Sequence, residues 1–198
     1  MPRASEADLD LLFRKARTRN GWSDEPVSEV LLREIYDLAK MGPTTANSQP
    51  FRIVFAASAA AKKKLEPALD EGNRAKTMQA PVVALFATDT RFYENLPKTM
   101  PHNPAARSWF EGPEKAASTA EAGFRNATLQ CAYFMLAARA LGLDCGPMSG
   151  FDPAAVNAAF FPDGRYLVNF ICALGHGTDE KLFGRSPRLG FDDVAKVV

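Results

Sequence analysis

The chain has 198 residues, 46% of them hydrophobic and 24% charged, with a formal net charge of +1. That length suits one domain with a sizeable core, and the composition is that of a globular chain, not a disordered or membrane-embedded one. The near-neutral balance gives no global attraction for nucleic acid or an acidic surface, so any phosphate recognition has to be local.

The segment MPRASEADLDLLF carries acids where a signal peptide needs an apolar run, and no window approaches a membrane span. A cytoplasmic protein without membrane or nucleic-acid partners is therefore expected. Cys131, Cys145 and Cys172 are odd in number, widely spaced and set in apolar surroundings, which reads as buried, reduced thiols. His102 and His176 are the only histidines, and neither CxxC nor HExxH occurs, so no metal site is expected.

In chain order, Ser5 with Asp8 forms a short capping box for a first helix whose Leu9, Leu12, Phe13 and Ala16 share a face, running out near RTRNGW. A second helix starts around Ser28, buries Leu31, Leu32, Ile35 and Leu38, and stops at Gly42-Pro43. FRIVFA, residues 51–56, reads as a strand, and Ser58 caps a third helix through Leu65 and Leu69. PVVALFAT, residues 81–88, is an apolar run of the kind covered on both faces.

Residues 91–115 hold four prolines and read as a long loop with short helical pieces; Phe92, Tyr93, Trp109 and Phe110 argue against disorder. From about Ser118 to Leu141 the chain is helical in propensity and apolar nearly all round, the pattern of a buried helix or one at a subunit interface; Gly142 ends it. Asp152-Pro153 caps another helix, and 165–174 is a third strong strand. Helices and strands interleaved in one unit, residues 1–198, predict an α+β sandwich.

No glycine fingerprint of a dinucleotide loop and no GxxxxGK[ST] is present, so a phosphate has to be met by scattered basic side chains. Arg14, Lys15, Arg17 and Arg19 form one such cluster, though bases at a helix end also complement its dipole. Arg185 and Arg188 in GRSPRL form a second, equally open to either reading. GPTTANSQP, residues 42–50, is uncharged but rich in donors and acceptors; it suits a capped turn or the edge of a planar heterocycle. GPMSGF, residues 146–151, suits a close backbone approach to a ligand or an ordinary connection.

RTRNGW, the run through GPTTANSQPFRIVFA, GNRAK, the long apolar helix, ALGLDCGPMSGF, ICALGHG and SPRL together resemble, in order and over essentially the whole chain, the nitroreductase family of FMN-dependent oxidoreductases. Within it the chain is most similar to the malonic semialdehyde reductases of pyrimidine catabolism, through RTRNGW, PHNPAARSWF, FRN and GLDCGPMSGFD. The resemblance implies a central, mostly antiparallel sheet flanked by helices, an intertwined homodimer, and FMN in two interface clefts. It places Arg17, Thr18 and Arg19 at the phosphate or ribityl chain, with Arg188 and Arg185 closing on the phosphate. Pro43, Thr44, Thr45 and Asn47 would lie against the ring from the partner subunit. Asn73 and Lys76 match the pyrimidine edge, where a cation stabilises reduced flavin. Pro147, Met148, Ser149 and Gly150 match the loop donating to flavin N5.

Two departures from the family pattern stand out: Asn20 where many members carry a second base, and Ser149 where other branches place glutamate. The implied activity is a two-step exchange in which NADH or NADPH reduces the flavin and a small aldehyde, nitro or quinone acceptor reoxidises it. For malonic semialdehyde, Arg107 or His102 is expected to anchor the carboxylate and Trp109 and Phe110 to exclude water, which makes 91–115 an active-site excursion; a solvated loop charge is the plainer reading of Arg107. A broad nitroarene or quinone reductase and a non-catalytic flavin-binding protein are the alternatives.

Overall fold

The computed structural model describes residues 3–198, so the first two residues of MPRASEADLDLLF lie outside it. The capping box forms as its residues dictate: the Asp8 N–H donates to Ser5 Oγ at 3.1 Å and the Ser5 N–H to Asp8 Oδ2 at 2.9 Å. The helix it starts, α1 (Glu6–Leu9), widens at once into a π-helical turn over Asp10–Arg14. That wider turn breaks the 3.6-residue spacing, and the expected apolar face does not reach the core; Phe13 is 54% exposed.

The two-residue strand β1 (Gly21–Trp22) follows, then α2 (Glu29–Ala39), capped by Ser28 Oγ, which accepts from the Leu31 N–H at 3.1 Å. Its buried stripe is Leu32, Ile35 and Ala39; Leu38, expected inside, faces outward. The smaller Ala39 takes the inner position, which brings α2 close against the long helix described below.

A four-stranded antiparallel sheet carries the core. Its strands are β2 (Phe51–Ala56), β3 (Val82–Asp89), β4 (Asp144–Met148) and β5 (Tyr166–Gly175), in the spatial order β2-β3-β5-β4. Every residue of β3 is buried because both faces are covered. Val82, Ala84 and Phe86 pack with Ile35, Cys131 and Phe134 on one side. Val83, Leu85 and Ala87 pack with Leu65, Val156 and Phe161 on the other. A short strand β6 (Gly177–Thr178) pairs with β1.

Strand β4 was not apparent in the sequence, where Gly146-Pro147 reads as loop. It lies on the sheet's edge, the position where a strand tolerates proline. The helix α4 (Glu71–Gln79), which contains GNRAK, was equally hidden: only Thr77 is buried, so no apolar stripe announces it. Between β2 and α4 lies α3 (Ala59–Leu65), which yields at Pro67 to a tight 3-10 turn before Leu69.

Residues 91–115 are a chain of short helical pieces including α5 (Leu96–Thr99), as expected. They are ordered by packing: the Phe92 and Phe110 rings meet edge-on at 5.0 Å, and Thr119 Oγ1 donates to the Phe110 carbonyl at 2.7 Å. The next helix, α6 (Ala116–Ala140), buries Gly123, Ala127, Cys131, Phe134 and Ala138 in one stripe. It is not enclosed within the chain: Phe124 is 57%, Leu129 47% and Tyr133 41% exposed. Asp152 then caps α7 (Pro153–Phe160), accepting from the Ala154 and Ala155 N–H groups at 2.8 and 3.1 Å.

After β6 the chain runs along the surface through α8 (Phe191–Val194), with Phe183, Leu189 and Phe191 exposed. The three cysteines are free and buried, and burial pushes the Cys131 and Cys172 thiols well up, so both stay protonated. Among the described residues no helix is long and apolar enough to cross a membrane.

Candidate functional site

The turn after the π-helical segment, the last turn of α6 and the segment after β6 meet around a cavity of about 470 Å³. Arg17, Thr18, Asn20, Arg139, Arg185 and Arg188 line it. An isolated bridge between Thr18 and Cys145 fixes the first of these segments beside β4.

The four guanidinium groups bond only to main-chain carbonyls. Arg17 donates to Phe183 O, Arg185 Nη2 to Arg14 O and Ala16 O at 2.7 Å each, Arg188 Nη1 to Ser186 O at 2.9 Å, and Arg139 Nη1 to Leu12 O at 3.4 Å. Arg185 thus closes the end of the first helical segment, the role its dipole alone would assign it. Yet among the described residues none of the four shares an ion pair with a carboxylate. Four like charges around one space without a counter-charge favour an anion there.

A second cavity of about 450 Å³ adjoins the first, sharing Asn20 and Phe183 with it, and is lined by Lys76 and Gln79 of α4 and by Lys181. Asn73, one turn before Lys76, donates from Nδ2 to the Gly150 carbonyl at 2.8 Å. That bond ties α4 to the loop after β4, whose Pro147 and Met148 are the strand's last residues and whose Ser149 is exposed. Met148 is held in turn by Thr77, whose Oγ1 donates to its sulfur at 3.2 Å. The approach is so close that a Cβ on Gly150 would strike Asn73 Nδ2 and sit 2.9 Å from Asp70 Oδ2. Gly150→Ala is therefore expected to push this loop off α4 and to destabilise the fold by about 1–3 kcal/mol. Melting followed by circular dichroism, beside the same measurement on Gly184→Ala, where an added Cβ meets nothing within 4 Å, checks it.

Arg19, grouped by the sequence with Arg17 and Thr18, faces elsewhere. Its Nη1 pairs with Asp179 at 2.7 Å and its Nε lies 3.4 Å from Asp144. Burial pulls its pKa down, but the Asp179 hydrogen bond and Asp144 outweigh this, and the net shift is upward. Gly177, part of GHGTDE, serves this side chain: a Cβ there would strike Arg19 Cγ and lie 2.7 Å from its Cδ. Arg19 locks the β1–β6 corner and does not line the arginine cavity.

The uncharged loop is far from these cavities on its own chain. Thr45 donates its N–H to Asn126 Oδ1 of α6 at 2.8 Å, and Asn47 Nδ2 donates to Thr99 O at 2.7 Å. Asn126 and Arg139 stand about 20 Å apart along the axis of α6 at 1.5 Å per residue. The loop is also strained: Ala46, Asn47 and Gln49 take φ of 53°, 50° and 43°, the left-handed region that costs a side chain about 1 kcal/mol or more. Pro43, Thr45 and Asn47 remain exposed, with Thr44 half-buried. Backbone strain of this kind persists only where the surroundings hold it, here the buried Asn126 and the half-buried Thr99.

The excursion sits on that same side. Phe110 borders an apolar cavity of about 740 Å³ with Tyr93, Phe124 and Leu167. Trp109 is 51% exposed and His102 is exposed. Arg107 is engaged by its own segment, its Nε donating to Glu111 Oε2 at 2.8 Å; that hydrogen bond raises the pKa of Arg107 and lowers that of Glu111. The structure thus brings Arg17, Thr18, Arg185 and Arg188 together, and Lys76, Asn73 and Gly150 beside them. The residues 43–47 and 102–110 stand apart as a second group.

Sequence reasoning missed Arg139, Lys181 and Gln79. The available signal was Arg139 itself, a base in an otherwise apolar stretch of α6.

A family model described as "Nitroreductase family" matches residues 14–176. HadB of Ralstonia pickettii, named a candidate NADH dehydrogenase/NAD(P)H nitroreductase, is 58% identical over 94% of this chain and 95% of its own. A similarly named protein of Cupriavidus pinatubonensis is 54% identical over 96% of each chain. Among solved structures, a candidate nitroreductase from Exiguobacterium sibiricum in complex with FMN shares the fold with a TM-score of 0.87 at 19% identity, covering 100% of both chains. YdfN of Bacillus subtilis superposes with a TM-score of 0.88 at 22% identity, over 98% of this chain and 100% of its own. The chain belongs to the nitroreductase family.

Proposed function

We propose that this protein is an FMN-dependent NAD(P)H oxidoreductase, working as a homodimer in the cytoplasm, whose acceptor is malonic semialdehyde, reduced to 3-hydroxypropionate. The observation that carries the cofactor assignment is the arginine cavity. A phosphate answers Arg17, Arg185 and Arg188 with the negative charge their surroundings lack, while the adjoining cavity offers Lys76 and Gln79 to an uncharged ring. Both volumes lie in the range of about 300–1,000 Å³ usual for ligand sites. The names of the curated relatives and the FMN held by the Exiguobacterium protein support the same reading.

FMN, when bound, supplies hydride transfer between the nicotinamide donor and the acceptor. The chain's own residues do the rest. Arg17, Thr18, Arg185 and Arg188 hold the phosphate end, and Lys76 with Asn73 holds the ring's polar edge and opposes negative charge developing there. Asn73 also sets the position of Gly150, whose loop, entered through Pro147 and Met148, contributes a main-chain N–H donor at Ser149 or Gly150.

The residues 43–47 come from the second copy, because on their own chain they are anchored about 20 Å along α6 from the arginine cavity. The exposed apolar side chains of α6 and of residues 183–191 support pairing with a second copy. Residues 91–115 serve as the active-site excursion of a single domain, with Trp109 and Phe110 excluding water and Arg107 or His102 meeting the acceptor's carboxylate. The proton required at the new hydroxyl comes from solvent or His102.

Titrating the flavin-free protein with FMN tests the cofactor: a perturbed flavin band and its bleaching by NADPH are expected, and an unchanged spectrum at all concentrations refutes it. Arg107 tests the acceptor. Its bond to Glu111 has to open for a carboxylate to enter, so Arg107→Ala is expected to raise KM for malonic semialdehyde about tenfold while leaving menadione within about twofold. Equal effects on both would favour the second reading, a broad quinone and nitroarene reductase, which the apolar lining of Tyr93, Phe110, Phe124 and Leu167 supports.

A further inference from the structure

Arg139 lies in the last turn of α6, half-buried, and among the described residues it shares no ion pair with a carboxylate. Its Nε is enclosed and has no hydrogen-bond partner. Its one protein acceptor, Leu12 O at 3.4 Å from Nη1, is distant for a bond of this type. A guanidinium so poorly matched by its own chain is costly, and an anion that meets its remaining donors from the cavity offsets that cost.

Helix-end electrostatics do not account for the arrangement. They favour a base in the last turn, but a solvated one serves equally well and leaves no enclosed Nε. The side chain instead lines the cavity of Arg17, Arg185 and Arg188. Those three come from surface segments, and Arg185 and Arg188 are exposed. Arg139 alone is mounted on a long helix packed against the core, so its backbone is the most firmly placed of the four.

We propose that Arg139 is a fourth phosphate-binding arginine, reaching the cavity from the last turn of α6 and selecting the phosphorylated flavin over the unphosphorylated one. This rests on the cavity being the phosphate site. A charge-assisted hydrogen bond from a preorganised guanidinium discriminates between FMN and riboflavin, which share the ring and the ribityl chain and differ in the phosphate alone.

The test compares flavin-free wild type, Arg139→Met and Arg139→Lys by quenching of flavin fluorescence, with FMN and riboflavin as separate titrants and the melting temperature of each protein alongside. For Arg139→Met, FMN affinity is expected to fall about ten- to hundredfold while riboflavin affinity stays within about twofold. Arg139→Lys keeps the charge but not the fork, and it is expected to lose about threefold or more for FMN alone. If methionine prevents folding, the lysine variant decides by the same ratio. An FMN-to-riboflavin preference equal to wild type in the folded variants overturns the role of Arg139 and leaves the cavity reading standing. A wild type that does not prefer FMN over riboflavin removes the cavity reading, and this role with it.

Discussion

Replacing Asp89 with alanine is expected to lower the stability of the fold by about 3–5 kcal/mol, the usual cost of stripping one sign from a buried charge cluster. Asp89 ends β3 and is fully buried. Its carboxylate accepts from Arg165 Nε at 2.9 Å and Nη2 at 3.1 Å, from Arg52 Nη2 at 2.7 Å and from the Arg91 N–H at 3.0 Å. Both guanidinium groups also lie over the Tyr166 ring at 5.7 Å. Alanine would leave two cations facing each other across the vacated space.

The arginine side chains retain 30% and 22% exposure, so water recovers part of the loss and the lower end of the range is expected. For a chain of this length that is a fall in melting temperature of about 6–12 °C. Asp89→Asn keeps an acceptor and is expected to lose less. The effect has a local signature too, since Arg165 Nη1 also pairs with Glu94 at 2.9 Å and thereby fastens the start of the 91–115 segment to the sheet. Hydrogen exchange should quicken there before it quickens in β3. A variant that melts within 2 °C of wild type, or about 1 kcal/mol, would show that the cluster does not hold this end of the sheet.

The core strands were legible because their signal is local. A run such as VVALFAT can satisfy its side chains only by burial on both faces, and Ser28, Ser58 and Asp152 announce their helices through hydrogen bonds spanning two or three residues. The errors arose where distant structure intervenes. Nothing near Asp10 signals a π-helical turn, and nothing near Gly146-Pro147 says that this segment lies at an edge. The apolar circumference of α6 fits burial or a subunit interface, and the outward Phe124, Leu129 and Tyr133 show that its own chain does not enclose it, a distinction that depends on what else the surface meets.

The candidate site divides along the same line. Arg17, Arg185 and Arg188 were identifiable as bases in suggestive clusters, while pattern alone could not separate them from helix-end charges. What separates them, among the described residues, is the absence of carboxylates around one cavity, a property of residues from three distant parts of the chain. Arg19 shows the converse. Two positions from Arg17, it is spoken for by Asp144 and Asp179, which lie 125 or more residues away in sequence. Arg107 is likewise held, in its case by an acid one helical turn on. An arginine's role here is decided by its nearest acid.

The separation of the two groups of site residues yields the sharpest expected result. The proposed site draws its arginines from one chain and residues 43–47 from the other, so damage to the two parts should be complementary. Arg17→Ala with Arg188→Ala removes charge from the first; Thr45→Val with Asn47→Gly alters the second. Each homodimer is expected to lose about tenfold or more of its NADPH-dependent reductase activity. In a two-fold symmetric dimer every mixed pair holds one site damaged in both parts and one site damaged in neither. Unfolding the two variants together and refolding them gives mixed pairs as half of all dimers, so about a quarter of wild-type activity should return. That recovery cannot come from a site confined to one chain, because each chain in the mixture then carries its own defect. A mixture that refolds to dimers by light scattering and stays at the activity of its parents would place both groups of residues outside a shared site. Recovery near a quarter would show that the strained loop, stapled to Asn126 and distant from its own arginines, serves its neighbour's.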